Sequence, residues 1–129
     1  MMPRQDKRPV NLNLWHFRFP LNALTSISHR ISGVFLIICL LIWLGWFHLV
    51  LLYPQDFADY QAWLSSWPGQ LFVSVFWLAL AFHWLAGVRH LLIEFLPLPS
   101  LKPALRQNAW LVGVLWFGLA GLIIARVWL

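Results

Sequence analysis

Carboxylates are scarce in this chain: Asp6, Asp56, Asp59 and Glu94 are the full set among 129 residues. None falls at the centre of a long apolar stretch, which argues against a proton-coupled transporter, since such proteins carry an ionisable group at mid-membrane depth. Cysteine is scarcer still. Cys39 stands alone inside an apolar run, so no internal disulfide and no multi-cysteine metal centre is available, and the residue is read as packing. Charged residues of both signs make up only 10% of the chain against 61% apolar ones, a balance that excludes an ordinary soluble domain. A glycine-rich phosphate loop, an internal repeat and a low-complexity tract are also lacking.

Hydrophobic length is what the chain has instead. Stretches at about 21–53, about 69–96 and about 105–129 each meet the length needed to cross a bilayer, behind a polar N-terminal segment of about 1–20. The first of them is fully apolar only from Ile31, with a polar helical entry from near Leu21. The fold class expected is an all-α membrane protein with three transmembrane helices, a single membrane-anchor domain with too little chain left over for a soluble catalytic unit. Arg4, Lys7, Arg8, Arg18 and Arg30 precede the first span, Arg89, Lys102 and Arg106 lie around the second connection, and the connection 54–68 has neither Lys nor Arg. By the positive-inside rule the N-terminus and the second connection are cytoplasmic and the C-terminus, with Arg126, lies outside. The pI of about 10.4 then reflects topology and contact with anionic membrane lipid, not nucleic acid. The basic N-terminal segment lacks the short apolar region of a signal peptide and the look of a transit peptide, so the first span reads as retained and a bacterial plasma membrane as the location. Residues 56–67 mix aromatic and polar side chains as a short interfacial helix does, and 97–103 is a proline-stiffened turn. Trp15, Trp63, Trp67, Trp110 and Trp128 read as belt residues near span ends, while Trp43, Trp46, Trp77, Trp84 and Trp116 face helices or lipid.

The chemistry concentrates in two places. In the second span, His83-Trp84-Leu85-Ala86-Gly87-Val88-Arg89-His90 sets two histidines about two helical turns apart on one face, with Gly87 between them. An imidazole at that depth is either a haem ligand, with Gly87 making room for a flat group, or a hydrogen-bonded histidine between packed helices. At the start of the first span, Ser26-Ile27-Ser28-His29-Arg30-Ile31-Ser32-Gly33 puts Ser26 and Arg30 one turn apart. A hydroxyl and a permanent cation at the membrane boundary suit a lipid-borne ligand with carbonyl oxygens, and they equally suit a snorkelling anchor. Arg89 has the same alternative, and His16 and His48 read as interfacial.

Depth constrains the haem reading. At roughly 1.5 Å per residue, His83 lies about 10 Å deeper than His90, with His29 about 10 Å away and His48 about 15 Å away in the other direction. Two axial imidazole nitrogens must stand about 4 Å apart across the iron. Within this chain His83 then has no partner at its own depth, and a second histidine ligand comes from another polypeptide.

Taken together, Arg8-Pro9-Val10-Asn11-Leu12-Asn13-Leu14, Phe17-Arg18-Phe19-Pro20, the Ser26 to Gly33 block, His83 and Gly87-Val88-Arg89-His90 resemble the cytochrome b membrane-anchor subunit of succinate dehydrogenase, over nearly the full length. The resemblance implies a haem-binding bundle formed with a second small membrane-anchor subunit, the pair anchoring an iron-sulfur subunit and a flavoprotein subunit at the inner face. It implies that His83 is an axial ligand of haem b, that Ser26 and Arg30 help hold ubiquinone, and that His29 and Arg30 lie near the haem propionates. The chain would itself be no dehydrogenase, its share being to place cofactor and quinone while electrons pass from succinate to quinone. Two departures stand out. Glu94 occupies the place where the family usually has Asp, and the N-terminal motif lacks the Ser-Pro-His form of mitochondrial relatives, which points to a bacterial member. An anchor of a quinol:fumarate reductase and a haemless structural anchor are the remaining alternatives.

Overall fold

The computed structural model describes residues 19–95 and 100–129. The N-terminal motif from Arg8 to Arg18, the bases Arg4 and Lys7, Trp15, His16 and the prolines Pro97 and Pro99 lie outside the described residues. Among the described residues the helices are, in order, α1 Leu21–Leu52, α2 Phe57–Ser65, α3 Trp67–Phe95, α4 Leu101–Gln107 and α5 Trp110–Trp128, with a 3₁₀ turn, Pro54–Asp56, before α2. Helix is what a bilayer requires of such sequences, because each backbone N–H and C=O must find its partner within the segment. Three of the helices, α1, α3 and α5, are long and apolar enough to span. Among the described residues there is no strand.

Prolines and small residues set the boundaries. Pro20 precedes α1, and Pro54 stops it, having no N–H to continue the ladder. Ser66 turns the chain from α2 into α3: its backbone is extended and its hydroxyl accepts the Gly69 N–H at 3.4 Å, as an N-cap side chain does. Gly69 is required by that corner, since a Cβ there would collide with the Trp63 carbonyl oxygen. The third span starts later than the sequence indicates, at Trp110 in place of about 105. Residues 101–107 form their own short helix, and the chain turns at Asn108 and Ala109 before α5 begins. Lys102 and Arg106 sit on that short helix, which keeps both charges out of the span. The segment read as interfacial helix is α2.

Helix α3 is central, with α1 and α5 each packed along it. Among the described residues the buried ones are few and small: Cys39, Val50, Gly69, Ala86, Ala109, Val112 and Ala120, with Ser74 the buried polar one. Most Leu, Ile and Phe side chains are exposed, Phe117 at 71% and Leu122 at 68% among them. Lipid makes such exposure free of the penalty it has in water, so close approach through small residues and interhelical hydrogen bonds holds the bundle. Trp116 donates to the Leu78 carbonyl at 2.8 Å, and Trp128 donates to Ser74 Oγ at 2.9 Å. Trp128 is therefore an α3–α5 cross-link and more than a belt residue. Replacing Trp128 with Phe is expected to cost about 1 kcal/mol, read as earlier unfolding of the purified complex in a detergent titration.

At the end of the bundle that carries α2, Trp43 Nε1 donates to Tyr60 Oη at 2.8 Å and the Trp46 and Trp63 rings meet edge-on at 4.3 Å. These contacts fasten α2 across α1 and draw Trp63 into the packing. The opposite end carries the histidine pair and most of the described basic residues.

Candidate functional site

The register of α1 against α3 builds the histidine pair. A Cβ on Gly33 would lie 2.9 Å from His83 Cε1, and one on Gly87 would lie 3.2 Å from His29 Nε2. Each imidazole sits against the glycine of the facing helix, and the two rings stack with centroids 4.2 Å apart and planes 24° from parallel. Two sequence expectations are corrected here. His29 is not about 10 Å from His83, and the room beside Gly87 is filled by the His29 ring. The depth estimate sets the start of the first span, with His29, level with His90 at the end of the second, whereas α1 runs further along α3 and brings His29 opposite Gly87. With His29 opposite Gly87 and His83 opposite Gly33, the offset between the histidines is one turn, about 6 Å along the axis, and two facing imidazoles close it.

Stacking does not make His29 the opposing iron ligand. An imidazole lone pair lies in the ring plane, so two ligands across one iron need centroids about 6 Å apart at metal–nitrogen bonds of about 2 Å. Stacked faces at 4.2 Å cannot direct both nitrogens at one metal between them. Among the described residues no group of three His, Cys, Asp or Glu side chains forms a metal site either.

His83 itself has the chemistry of a metal ligand. Its Nδ1 is 3.0 Å from the His29 carbonyl oxygen and 3.0 Å from Ser32 Oγ, while Ser32 donates its own hydroxyl proton to the His29 carbonyl at 2.8 Å. With that proton committed, both neighbours present lone pairs to Nδ1, so Nδ1 carries the hydrogen and Nε2 keeps a free lone pair. This is the tautomer and second contact that a ligating histidine requires. His83 also lines an apolar cavity of about 440 Å³ with Gly33, Leu36, Ile37, Leu40, Phe76 and Leu80, walled by α1 and α3 alone. A flat apolar group fits such a wall, and the residues present are compatible with haem.

Ser26 and Arg30 come together with His29 and Thr25 of α1, and with Ala86, Arg89 and His90 of α3, around a polar cavity of about 110 Å³. His29 belongs to both places, one face against His83 and the ring at the polar cavity. Arg89 is more than an anchor to the membrane surface: its guanidinium donates to Asn22 Oδ1 at 2.6 Å and to the Arg106 carbonyl at 3.2 Å, tying the ends of α1, α3 and α4 together. Glu94 is not a wall of this cavity; its carbonyl accepts from Lys102 Nζ at 3.2 Å. His48 is exposed on α1.

Sequence reasoning assigns no role to Ser32 and Gly33. The signal is nonetheless present: His29 and Gly33 on α1 repeat the spacing of His83 and Gly87 on α3. In an antiparallel pair, equal spacings place each histidine over the other helix's glycine.

Known proteins share this chain's sequence over most of its length. Residues 4–124 match the family model described as succinate dehydrogenase/fumarate reductase transmembrane subunit. The chain is 36% identical over 124 residues to a succinate dehydrogenase cytochrome b556 subunit of Coxiella burnetii, covering 95% of this chain and 97% of the relative. It is 34% identical over 90 residues to the subunit of the same name from Paracoccus denitrificans, covering 70% of this chain and 69% of that one. With three spanning helices, a histidine pair seated on glycines and a match over nearly its whole length, the chain belongs to the succinate dehydrogenase/fumarate reductase transmembrane subunit family.

Proposed function

We propose that the chain is the cytochrome b membrane-anchor subunit of a bacterial succinate dehydrogenase, in which His83 is an axial ligand of haem b and Ser26 with Arg30 holds ubiquinone. The observation that carries the reading is the continuity of the two places: a histidine with its Nδ1 committed and its Nε2 free stands one ring away from a polar cavity walled by Ser26 and Arg30. Both relatives described above are named for the dehydrogenase, which favours succinate oxidation over fumarate reduction as the direction. The opposing histidine comes from a second small anchor subunit, since His29 cannot supply it. The iron-sulfur and flavoprotein subunits sit over the basic end of the bundle, on the cytoplasmic side of the inner membrane.

Haem, when bound, supplies a one-electron carrier within the membrane. The chain's own residues do the rest. Ser26 and Arg30 donate hydrogen bonds to a quinone carbonyl oxygen and offset the negative charge that reduction puts there. His29 and Arg30 present positive or donor groups to the haem carboxylates, and the apolar wall from Gly33 to Leu40 excludes water from the ring.

The test is Arg30→Ala in the assembled complex. Loss of a charge-assisted hydrogen bond of about 1.5–3 kcal/mol predicts a fall in succinate:quinone reductase activity on the order of tenfold or more. Succinate oxidation with a soluble dye acceptor stays at the wild-type rate. Unchanged quinone reduction would remove Arg30 from the quinone site.

A further inference from the structure

His83 Nδ1 has two oxygen neighbours on α1, the His29 carbonyl and the Ser32 hydroxyl. We propose that Ser32 is a positioning residue for the iron ligand: by accepting the Nδ1–H of His83 it fixes the tautomer that leaves Nε2 for the metal, and it sets how much electron density that nitrogen gives. The inference rests on the haem reading above and goes beyond it, because ligation by His83 does not by itself require a side-chain partner on α1.

Three observations bear on it. Ser32 Oγ and the His29 carbonyl oxygen both lie 3.0 Å from Nδ1, and the Ser32 hydroxyl donates to that same carbonyl at 2.8 Å. The His29 carbonyl is inside α1, where the helix ladder already claims it, so it is a shared acceptor while Ser32 Oγ has lone pairs to give. The hydroxyl's own donation to the carbonyl polarises it and makes its oxygen a better acceptor, as in any chain of hydrogen bonds at low dielectric. Finally, Gly33 places the α1 backbone against the ring, 2.9 Å from its Cε1 to a Cβ if one were present, so His83 is seated at one height with its Nδ1 facing Ser32. Ser28, one turn earlier on α1, lines with Ser32 the cavity walled by Val75, Phe82 and Trp116, while the oxygens beside His83 Nδ1 belong to Ser32 and the His29 carbonyl, so Ser28 is a matched control.

An imidazole whose Nδ1–H is donated to oxygen is the stronger ligand through Nε2 and favours the more highly charged iron. Weakening that bond moves the haem midpoint potential upward. The experiment uses the purified four-subunit complex with Ser32→Ala, Ser32→Thr and Ser28→Ala, each measured by redox titration of the haem, low-spin electron paramagnetic resonance and haem content per flavin. Ser32→Ala is expected to keep haem, shift the midpoint potential upward and move the low-spin signal. Ser32→Thr, which retains the hydroxyl, is expected to restore most of the shift, and Ser28→Ala to match wild type. A potential and signal for Ser32→Ala superimposable on wild type overturn the proposal. A shift of equal size in Ser28→Ala or Ser32→Thr overturns it as well, because the effect would then come from packing. Absence of a haem signal from the wild-type complex is a separate failure, that of the cofactor reading itself.

Discussion

The complex carrying His83→Leu is expected to lose the six-coordinate b-type bands from its reduced-minus-oxidised spectrum, with haem per flavin falling close to zero. The reason for so large an effect is that, among the described residues, His83 is the histidine whose Nδ1 is held by two oxygen acceptors, which leaves its Nε2 for the metal. His29 borders the polar cavity with Ser26 and Arg30, and His90 and His48 lie on other turns of their helices. Leucine also leaves no stranded partner: the Ser32 hydroxyl keeps its bond to the His29 carbonyl at 2.8 Å, so the helix pair has no new unsatisfied polar group to penalise it. Loss of haem with assembly largely kept is thus the specific outcome, readable by comparing the spectrum with recovery of the flavoprotein on the membrane fraction. An unaltered b-type spectrum in the mutant would show that the iron takes its ligands elsewhere.

Much of this is legible in the sequence, and the parts that are not have identifiable causes. Three spans follow from apolar length, and α1 ends at Leu52 because Pro54 stops the ladder. Hydropathy starts the third span too early because Leu105 and its apolar neighbours continue the hydrophobic run, whereas the break at Asn108 and Ala109 is a backbone event. Ser26 and Arg30 share one face in both the sequence and the structure, since helical spacing alone decides that. The stacking of His29 on His83 escapes the sequence because it depends on how far α1 slides along α3. Hydropathy leaves that slide open by a turn or more when a helix enters the membrane through polar residues, as α1 does between Leu21 and Ile31. Small residues fix the slide instead. Gly33 and Gly87 are where a facing imidazole fits, and their equal spacing from His29 and His83 encodes the register that hydrophobic counting could not give.

That encoding makes the glycines a sharper test of the site than the histidines. A Cβ at Gly33 falls 2.9 Å from His83 Cε1, inside van der Waals contact, while one at Gly87 falls 3.2 Å from His29 Nε2. His83 cannot simply swing away, because its Nδ1 is held at 3.0 Å by both the His29 carbonyl and Ser32 and its face is covered by His29. Overpacking of this kind costs about 1–3 kcal/mol, and here it is concentrated on the ligand. Gly33→Ala is expected to lower haem occupancy several-fold, and Gly33→Val, with two further methyl groups at the same spot, to abolish it even though His83 is intact. Gly87→Ala pushes on His29, which borders the cavity with Ser26 and Arg30, so its larger effect falls on quinone reduction and its smaller one on haem content. Gly45→Ala, on the same helix as Gly33 but with nothing of this chain within 4 Å, separates crowding at the ring from a general change in helix propensity. Haem content and quinone reductase activity measured side by side in the four variant complexes give the check. Equal losses in the Gly33 and Gly45 variants would show that the ring contact does not set the register, and wild-type haem content in Gly33→Val would show that α1 and α3 meet at a different height.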